Sequence, residues 1–442
     1  MNTTPVKQTT VHLITYSLYL LFLVSLIFSF RAVSSMSIAA IFLTGVITIF
    51  LKGPSSKKNK YRLYFVIGCA SLLLLSVVAI LYTTDVHEGW NNARIKTGLL
   101  IVSLAVFVAP IPDENLLRKL LFHYCLLLTL ASTYCLGHAF ARYQQSGSAS
   151  VFFYHSLVNP IAQHAIYFSL MILFGLIFLL EAIKRNFRYL PRSLHLSLIG
   201  LLSLFLFMLS SKLIISIYLV YLFLWLLQIL KSNSSSRLIS PVFIGLVILS
   251  VLLVFSIPNP VSSRFYDIVR GNISIVRQDS FKPGDYFNGL QFRLLQWKFV
   301  PEILTENGRW WIGISPGDAQ SYLNEKYLSK NMYSGDPTKG TRGYLVYNTH
   351  NQFLQTLLQT GIIGLVVLIA TCLCMLKMAI EQKSRLTIFI TIALLAWLFT
   401  ESPFETQYGI MIFTFFPMLF TSMTDSGVLL KNQLPDRSLD RH

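Results

Sequence analysis

The stretch YNTHNQFLQTLLQTGIIGLVVLIA, residues 347–370, begins with hydrogen-bonding side chains and ends as an uninterrupted apolar run. The apolar part is typical of a helix in lipid, where a helix satisfies its own backbone polar groups. Over the whole chain, 54% of the residues are hydrophobic and only 12% are charged. Long apolar runs in such a composition predict a polytopic membrane protein.

Apolar runs long enough to span a bilayer recur along nearly the whole sequence. We predict an all-α polytopic membrane protein with about twelve transmembrane helices of roughly 17 to 25 residues. The first run has no small-residue cleavage site before the second, which predicts a retained helix. The predicted organisation is transmembrane helices at 1–257, a loop domain at 258–350, further helices at 351–424 and a tail at 425–442. The spans lie near residues 11–30, 33–51, 63–82, 95–110, 117–138, 161–181, 194–210, 213–230, 239–257, 351–376, 386–400 and 408–424.

The basic residues orient these spans. Under the positive-inside rule the basic clusters are cytoplasmic, which predicts cytoplasmic termini and places the loop 258–350 in the periplasm of a bacterium, outside the inner membrane. The middles of the predicted spans are nearly free of ionisable groups. The basic clusters are residues 52–62, 184–192, 231–237 and 377–385, and the short connections on the other side hold Arg31, Arg94, Lys96, Arg142 and Lys212.

The formal net charge of +17 is mostly a consequence of this topology. The basic clusters are short, adjacent to spans and without interleaved aromatic side chains, which argues against nucleic-acid binding. The five cysteines fall in or beside apolar runs without metal-like spacing. We therefore predict that the cysteines are small residues of the core, and we predict no cofactor.

Two segments of the loop contain the signals of an interfacial structure. FNGLQFRLLQWKFVPEIL (287–304) has Arg293 and Trp297 four residues apart on one face of a predicted amphipathic helix. Arg293 is equally compatible with a side chain that snorkels from the interface. RWWIGISPGD (309–318) is turn-rich, and its paired tryptophans predict interface anchors.

Polar side chains accompany His350 into the helix that follows. A polar stripe in a membrane helix is expected to face a cavity or another helix. His350 would lie at the helix N-terminus, with Thr349 as candidate N-cap, where free amides favour a neutral imidazole that can accept a proton. The alternative is a histidine that only caps the helix. The polar rows are Asn351, Gln355 and Gln359, and Gln352, Thr356 and Thr360.

Other polar residues map to the same predicted membrane face. Lys212 lies in LSSKLIIS between two spans, and Arg264 follows the ninth predicted span. His155 and His164 lie in YHSLVNPIAQHAIYF (154–168), before the sixth span. Each of these residues is also compatible with a purely structural role in a loop or turn. The last outer turn, TESPFETQYG (400–409), contributes Glu401 and Glu405.

These residues together resemble the O-antigen ligase and polymerase superfamily of membrane glycosyltransferases. HNQFLQTLLQTGIIGL (350–365), after a large loop, resembles that family's signature, and FRLLQW, WIGISPGD, SSK, HAIYFSL and TESPFETQYGIMIFTFF support the resemblance. The resemblance implies transfer of a glycan from undecaprenyl pyrophosphate to an acceptor, the lipid A core for a ligase, with inversion and without a metal. By position, His350 matches the family's essential histidine, Arg293 its loop arginine and Glu405 its last-turn carboxylate. Lys212 stands where the family usually has arginine.

The resemblance and the residues suggest a mechanism. We predict His350 as general base, oriented by Glu405 or Glu401, with Arg293 neutralising the leaving pyrophosphate. His350 and Arg293 should therefore converge in one pocket beneath the loop. Three alternatives remain open: a glycan polymerase that uses a second lipid-linked glycan as acceptor, transfer to a protein hydroxyl, and a transporter or flippase. The predicted substrate-binding residues are Lys212, Arg264, His164, Asn351, Glu401 and Trp297.

Overall fold

A computed structural model describes residues 5–53, 59–184, 189–231, 271–336 and 340–422, with Ser263, Tyr266 and Thr338. The predicted span at 239–257, Arg264 and the tail at 425–442 lie outside the described residues. The described part is helical and contains no β-strand, apart from one isolated bridge between Asp336 and Thr341. The predicted all-helical class is confirmed for this part of the chain.

The helices follow the apolar runs closely. The helices before the loop are α1 (Pro5–Ile27), α2 (Arg31–Lys52), α3 (Lys60–Val78), α4 (Val86–Val108), α5 (Glu114–Ser146), α6 (Tyr154–Val158), α7 (Ala165–Lys184), α8 (Arg192–Met208) and α9 (Lys212–Lys231). The helices of the loop are α10 (Gly289–Glu306) and α11 (Ala319–Ser329). The helices after it are α12 (Gln352–Glu381), α13 (Arg385–Thr400) and α14 (Gln407–Ser422).

Several of these helices can cross a membrane. Among the described residues, eight helices are long and apolar enough, and α8 and α13 are shorter apolar helices. Large apolar side chains point away from the protein, with Leu81 86%, Phe50 85% and Leu51 76% exposed. Lipid tails cover such side chains as well as a protein core would. The protein is therefore a multi-pass helical membrane protein.

Helix α4 differs from the sequence prediction. The predicted span began near residue 95, but the helix begins at Val86, with the Asp85 side chain as N-cap accepting from Glu88 N–H. Arg94 and Lys96 are therefore inside the helix and not in a short connection. The prediction was wrong here because the first turns of the helix contain polar residues, so their hydropathy is too low to indicate a membrane span.

Helix packing is centred on α7 and on small residues at the contacts. In the apolar stretch of α7, 89% of the residues are buried inside the protein. Helix α3 packs against α4 and α12, and α14 packs against α4. A Cβ at Gly68 of α3 would lie 2.2 Å from Oγ1 of Thr371 in α12, so only glycine permits this approach.

The described part of the loop, residues 271–336 and 340–350, forms a lobe whose apolar core also includes Leu357 and Leu358 of α12. Its centre includes Leu295, Phe299 and Leu323, each completely buried. Asp318 ties the lobe to the turn before α4, because its carboxylate accepts hydrogen bonds from both the N–H and the hydroxyl of Thr84 and from the N–H of Asp85. The lobe therefore covers the same end of the bundle as the α3–α4 turn.

Candidate active site

The helix that follows His350 is broken. Gly361 interrupts α12 with φ +66° and ψ −164°, a conformation that side chains other than glycine rarely adopt. Residues 352–360, which carry most of the polar rows, therefore form a short helix of their own, and the apolar residues after Gly361 form a separate helix. The sequence predicts one continuous span at 351–376, and this prediction is wrong at Gly361.

A segment of the lobe, residues 310–315, fills the break. A Cβ at Gly361 would lie 2.3 Å from the carbonyl of Trp311, so the two backbones are in direct contact. The inserted segment supplies partners for backbone groups that the break leaves unpaired, as a broken membrane helix requires. The four hydrogen bonds are Ile314 N–H to Leu358 O (2.8 Å), Ser315 N–H to Gln359 O (3.1 Å), Ile362 N–H to Trp310 O (2.8 Å) and Ile363 N–H to Trp311 O (3.3 Å).

His350 lies directly before the N-cap of α12 and has an unusual backbone conformation. The N-cap is Asn351, whose side chain accepts from the N–H groups of Phe353 and Leu354, so the prediction of Thr349 as N-cap was wrong. His350 precedes the cap with φ +45°, and its N–H donates to Oδ1 of Asn348 at 3.0 Å. Such left-handed conformations in residues other than glycine are uncommon and concentrate at functional sites.

The carboxylate of Glu401 connects His350 to Arg293. Glu401 ends α13 and is 6% exposed. Its Oε2 lies 3.3 Å from Nδ1 of His350, and its Oε1 accepts from Nη2 of Arg293 at 2.9 Å. We call these three residues the Glu401 cluster. His350 and Arg293, which the sequence placed in one pocket, thus contact the same carboxylate.

The charges around Glu401 favour its ionised form. Burial alone would raise the pKa of its carboxyl, but the hydrogen bond and charge of His350, followed by the charges of Arg293 and His164, lower the pKa below its ordinary value. A carboxylate at Glu401 then favours the His350 tautomer with the proton on Nδ1. That tautomer leaves Nε2 free to accept a proton.

Arg293 is held on the predicted amphipathic helix. Helix α10 begins with a capping box between Asn288 and Gln291. The Nε of Arg293 donates to the carbonyl of Thr400 at 3.2 Å and Nη1 donates to Gly289 O at 3.2 Å. On the same helix, the indole of Trp297 donates to the carbonyl of Thr349 at 3.3 Å. Arg293 therefore joins α10 to the end of α13, and Trp297 joins α10 to the segment before α12.

His164, one of two neighbouring histidines before α7, lies near the same carboxylate. The rings of His155 and His164 are 4.5 Å apart between centroids, and Nδ1 of His155 accepts from Ala165 N–H at 3.4 Å. Burial lowers the pKa of His164, Glu401 acts to raise it, and His350 lowers it again. His164 is thus placed within electrostatic range of both Glu401 and His350.

Glu405 belongs to a different group of side chains. Its Oε2 accepts from Asn92 at 3.0 Å and from Gln359 at 3.1 Å, and its Oε1 lies 4.0 Å from Nζ of Lys96. Lys96 also donates to Oε1 of Gln359 at 2.6 Å. We call these four residues the Glu405 cluster. Of the two carboxylates in the last turn, the structure therefore places Glu401, and not Glu405, against His350.

Lys212 and Arg264 were also predicted to belong to the site. Lys212 begins α9 after the buried pair Ser210 and Ser211, which confirms a tight turn between α8 and α9. Arg264 lies outside the described residues. No sequence motif indicates a role for Lys96, although Asn92 and Lys96 are four residues apart and share one helix face.

The fold and the site define a multi-pass membrane protein with a histidine–carboxylate–arginine cluster beneath an extramembrane lobe. Residues 196–369 match the family model described as O-antigen ligase, a span that includes Arg293 and His350. The matched region is similar to the O-antigen ligase and polymerase superfamily, whose members are glycosyltransferase-like enzymes. The resemblance drawn from the sequence motifs is confirmed at that level. A search of curated proteins gives no match to the chain.

Proposed function

We propose that this protein is an O-antigen ligase of the bacterial inner membrane. It transfers a glycan from undecaprenyl pyrophosphate to the lipid A core on the periplasmic side. The observation that supports this proposal most directly is that a single buried carboxylate, Glu401, contacts both a histidine and an arginine. The histidine can accept a proton, and the arginine can bind an anion.

In this proposal His350 is the general base. The contact between Nδ1 and Glu401 orients the ring and favours the proton on Nδ1. Nε2 then accepts the proton of the acceptor hydroxyl as the hydroxyl oxygen attacks the sugar. A positioned base of this kind contributes about 10²–10⁴-fold to a rate.

Arg293 binds the leaving pyrophosphate. A guanidinium has five N–H donors, and the protein contacts described above use one on each of its three nitrogens. The remaining N–H groups on Nη1 and Nη2 can donate to phosphate oxygens as their negative charge increases. Lys212, Arg264 and His164 are proposed to add further positive charge or donors around the pyrophosphate, and Asn351 and Trp297 to line the site.

The reaction is a single displacement. A bond forms between the acceptor oxygen and the anomeric carbon while the bond from that carbon to the pyrophosphate oxygen breaks. The bonding electrons leave with undecaprenyl pyrophosphate, the proton goes to His350, and the configuration inverts. In this proposal side chains neutralise the charge on the leaving pyrophosphate, and no step involves a metal ion. Transfer should therefore persist when a chelator is present.

The test uses a strain that lacks its chromosomal copy of the gene. Wild-type protein should restore long glycan chains on lipopolysaccharide, and His350→Ala should not, although it inserts into the membrane equally well. Normal ladders with His350→Ala would overturn the assignment of the base. The gel pattern without the gene also separates two activities: complete loss of attached glycan with accumulated lipid-linked polymer indicates a ligase, whereas core carrying one repeat unit indicates a polymerase.

A further inference from the structure

The Glu405 cluster lies in the interior of the protein. Among the described residues, the contacts given above link its members to one another and not to His350 or Arg293. Lys96 is 4% exposed, Asn92 8% and Gln359 2%. Glu405 is also largely covered, with 15% of its side chain exposed. A charge with so little water around it is costly unless an opposite charge is close by.

Lys96 and Glu405 together fix the side-chain amide of Gln359. The amide oxygen accepts from Nζ of Lys96 at 2.6 Å, and its nitrogen donates to Glu405 at 3.1 Å. Turning the amide over would place N–H groups against an ammonium and an oxygen against a carboxylate. The backbone carbonyl of Gln359 also accepts from Ser315 of the inserted lobe segment at 3.1 Å. The cluster therefore holds α4, the polar part of α12 and the lobe together.

The turn 401–405 connects this cluster to Glu401. Two further hydrogen bonds fix the turn against α12, from Asn351 N–H to Oγ of Ser402 at 3.1 Å and from Phe404 N–H to Oε1 of Gln352 at 2.8 Å. Within this turn the N–H of Glu405 donates to the carbonyl of Ser402 at 3.2 Å, so we expect a shift of Glu405 to shift Glu401 as well. Loss of Lys96 leaves Glu405 buried without its counter-ion and drives such a shift.

We propose that Lys96 and Glu405 are positioning residues, an internal ion pair that holds the turn 401–405 so that Glu401 meets His350 and Arg293. Neither residue touches a substrate in this proposal. The effect on activity rests on the proposed function, but the effect on the turn does not. Misplacement of a catalytic group by about 1 Å can cost about 10²-fold in rate.

The test compares Lys96→Met, Glu405→Gln and the double variant. Each single variant leaves one buried charge without its partner, and glycan transfer by purified protein should fall about 10–100-fold. The double variant has no unpaired charge, and the new glutamine can still accept from Asn92 and Gln359. It should therefore be more active than either single variant. A double variant as inactive as the worse single variant would overturn the proposal.

Lys326→Met is the matched control for loss of a buried cation. Lys326 is 8% exposed and pairs with Glu302 and Glu306 within the lobe. Its loss should leave transfer within a few fold of wild type while the lobe remains folded. If Lys326→Met reduces transfer as much as Lys96→Met and the fold is retained in both, the effect is not specific to the Glu405 cluster and the proposal fails.

Hydrogen–deuterium exchange gives a readout that does not depend on activity. Lys96→Met should increase exchange at the amides of Asn351 and Phe404, which bond across the turn, and the double variant should restore their protection. Unchanged protection in Lys96→Met would overturn the positioning role even if transfer were lost. If wild-type protein transfers no lipid-linked glycan, the proposed function fails, and the exchange data still decide the role of Lys96.

Discussion

His350 and Glu401 are 51 residues apart in the sequence, and Nδ1 of the imidazole lies 3.3 Å from the carboxylate Oε2. In the proposed function, this contact pairs the general base with the carboxylate that orients it. It also joins the end of the lobe to the last turn of the bundle. The predictions below test what each partner contributes.

His350→Gly should remove the base without disturbing the backbone. His350 has φ +45°, which glycine adopts without strain. Transfer should fall about 10²–10⁴-fold, and added imidazole should restore part of it, measured with purified protein and lipid-linked glycan. Asn331→Gly, at another left-handed position with φ +57°, is the matched control and should retain activity. Wild-type rates from His350→Gly without imidazole would contradict the role of base.

Glu401→Gln should act through the tautomer of His350. A glutamine amide can donate to Nδ1, which favours the proton on Nε2 and blocks proton acceptance there. A loss of about 10²–10⁴-fold in transfer is expected, as for other carboxylate-to-amide changes beside a catalytic histidine. Glu306→Gln is the control, because Glu306 is an exposed partner of Lys326 in the lobe. Equal activities of Glu401→Gln and wild type would exclude the orienting role.

The stabilisation that Glu401 provides should depend on pH. The pKa of its carboxyl is lower in the folded protein than the ordinary value of 4.5, so the folded state favours the carboxylate. The contribution is therefore complete above pH 4.5 and is lost as pH falls through the lowered folded pKa. Thermal unfolding of wild type and Glu401→Gln in detergent should differ most near neutral pH, and the difference should shrink in acid. A difference that grows in acid would contradict the sign of the shift.

Arg293→Lys should retain only part of the activity. Lysine keeps the positive charge but cannot hold Glu401 and Thr400 while it presents further donors to a pyrophosphate. Arg293→Ala should abolish transfer, measured as the rate at increasing donor concentration. Arg309→Lys, at a position where the guanidinium lies over the ring of Tyr82, is the control and should be near wild type. Full activity in Arg293→Ala would refute the binding role.

Gly361→Ala should loosen the lobe from the bundle. The residue has φ +66°, and a Cβ would lie 2.3 Å from the backbone of Trp311. Left-handed strain and the steric conflict should together cost about 2–4 kcal/mol in the free energy of unfolding. Gly200→Ala is the control, since a Cβ there meets nothing within 4 Å, and it should be neutral or stabilise by about 0.5–1 kcal/mol. Proteolysis of the lobe gives a second readout, and unchanged cleavage in Gly361→Ala would argue against the docking role.

The sequence by itself determined the class of the protein and the chemical types of residue at the site. Apolar runs specify membrane helices because a backbone in lipid must bond to itself, and this depends on composition more than on distant contacts. The spacing of Arg293 and Trp297 was sufficient to predict helix α10. The signature at 350–365 was sufficient to indicate the family.

Only the tertiary structure decided which polar residues meet. Glu401 and Glu405 have the same chemistry and lie four residues apart, so periodicity could not assign one to His350 and the other to Lys96. The break at Gly361 depends on hydrogen bonds from residues 310–315, which supply partners from outside the helix. Side-chain contacts over long sequence separations depend on how helices pack, and local patterns carry little information about that packing.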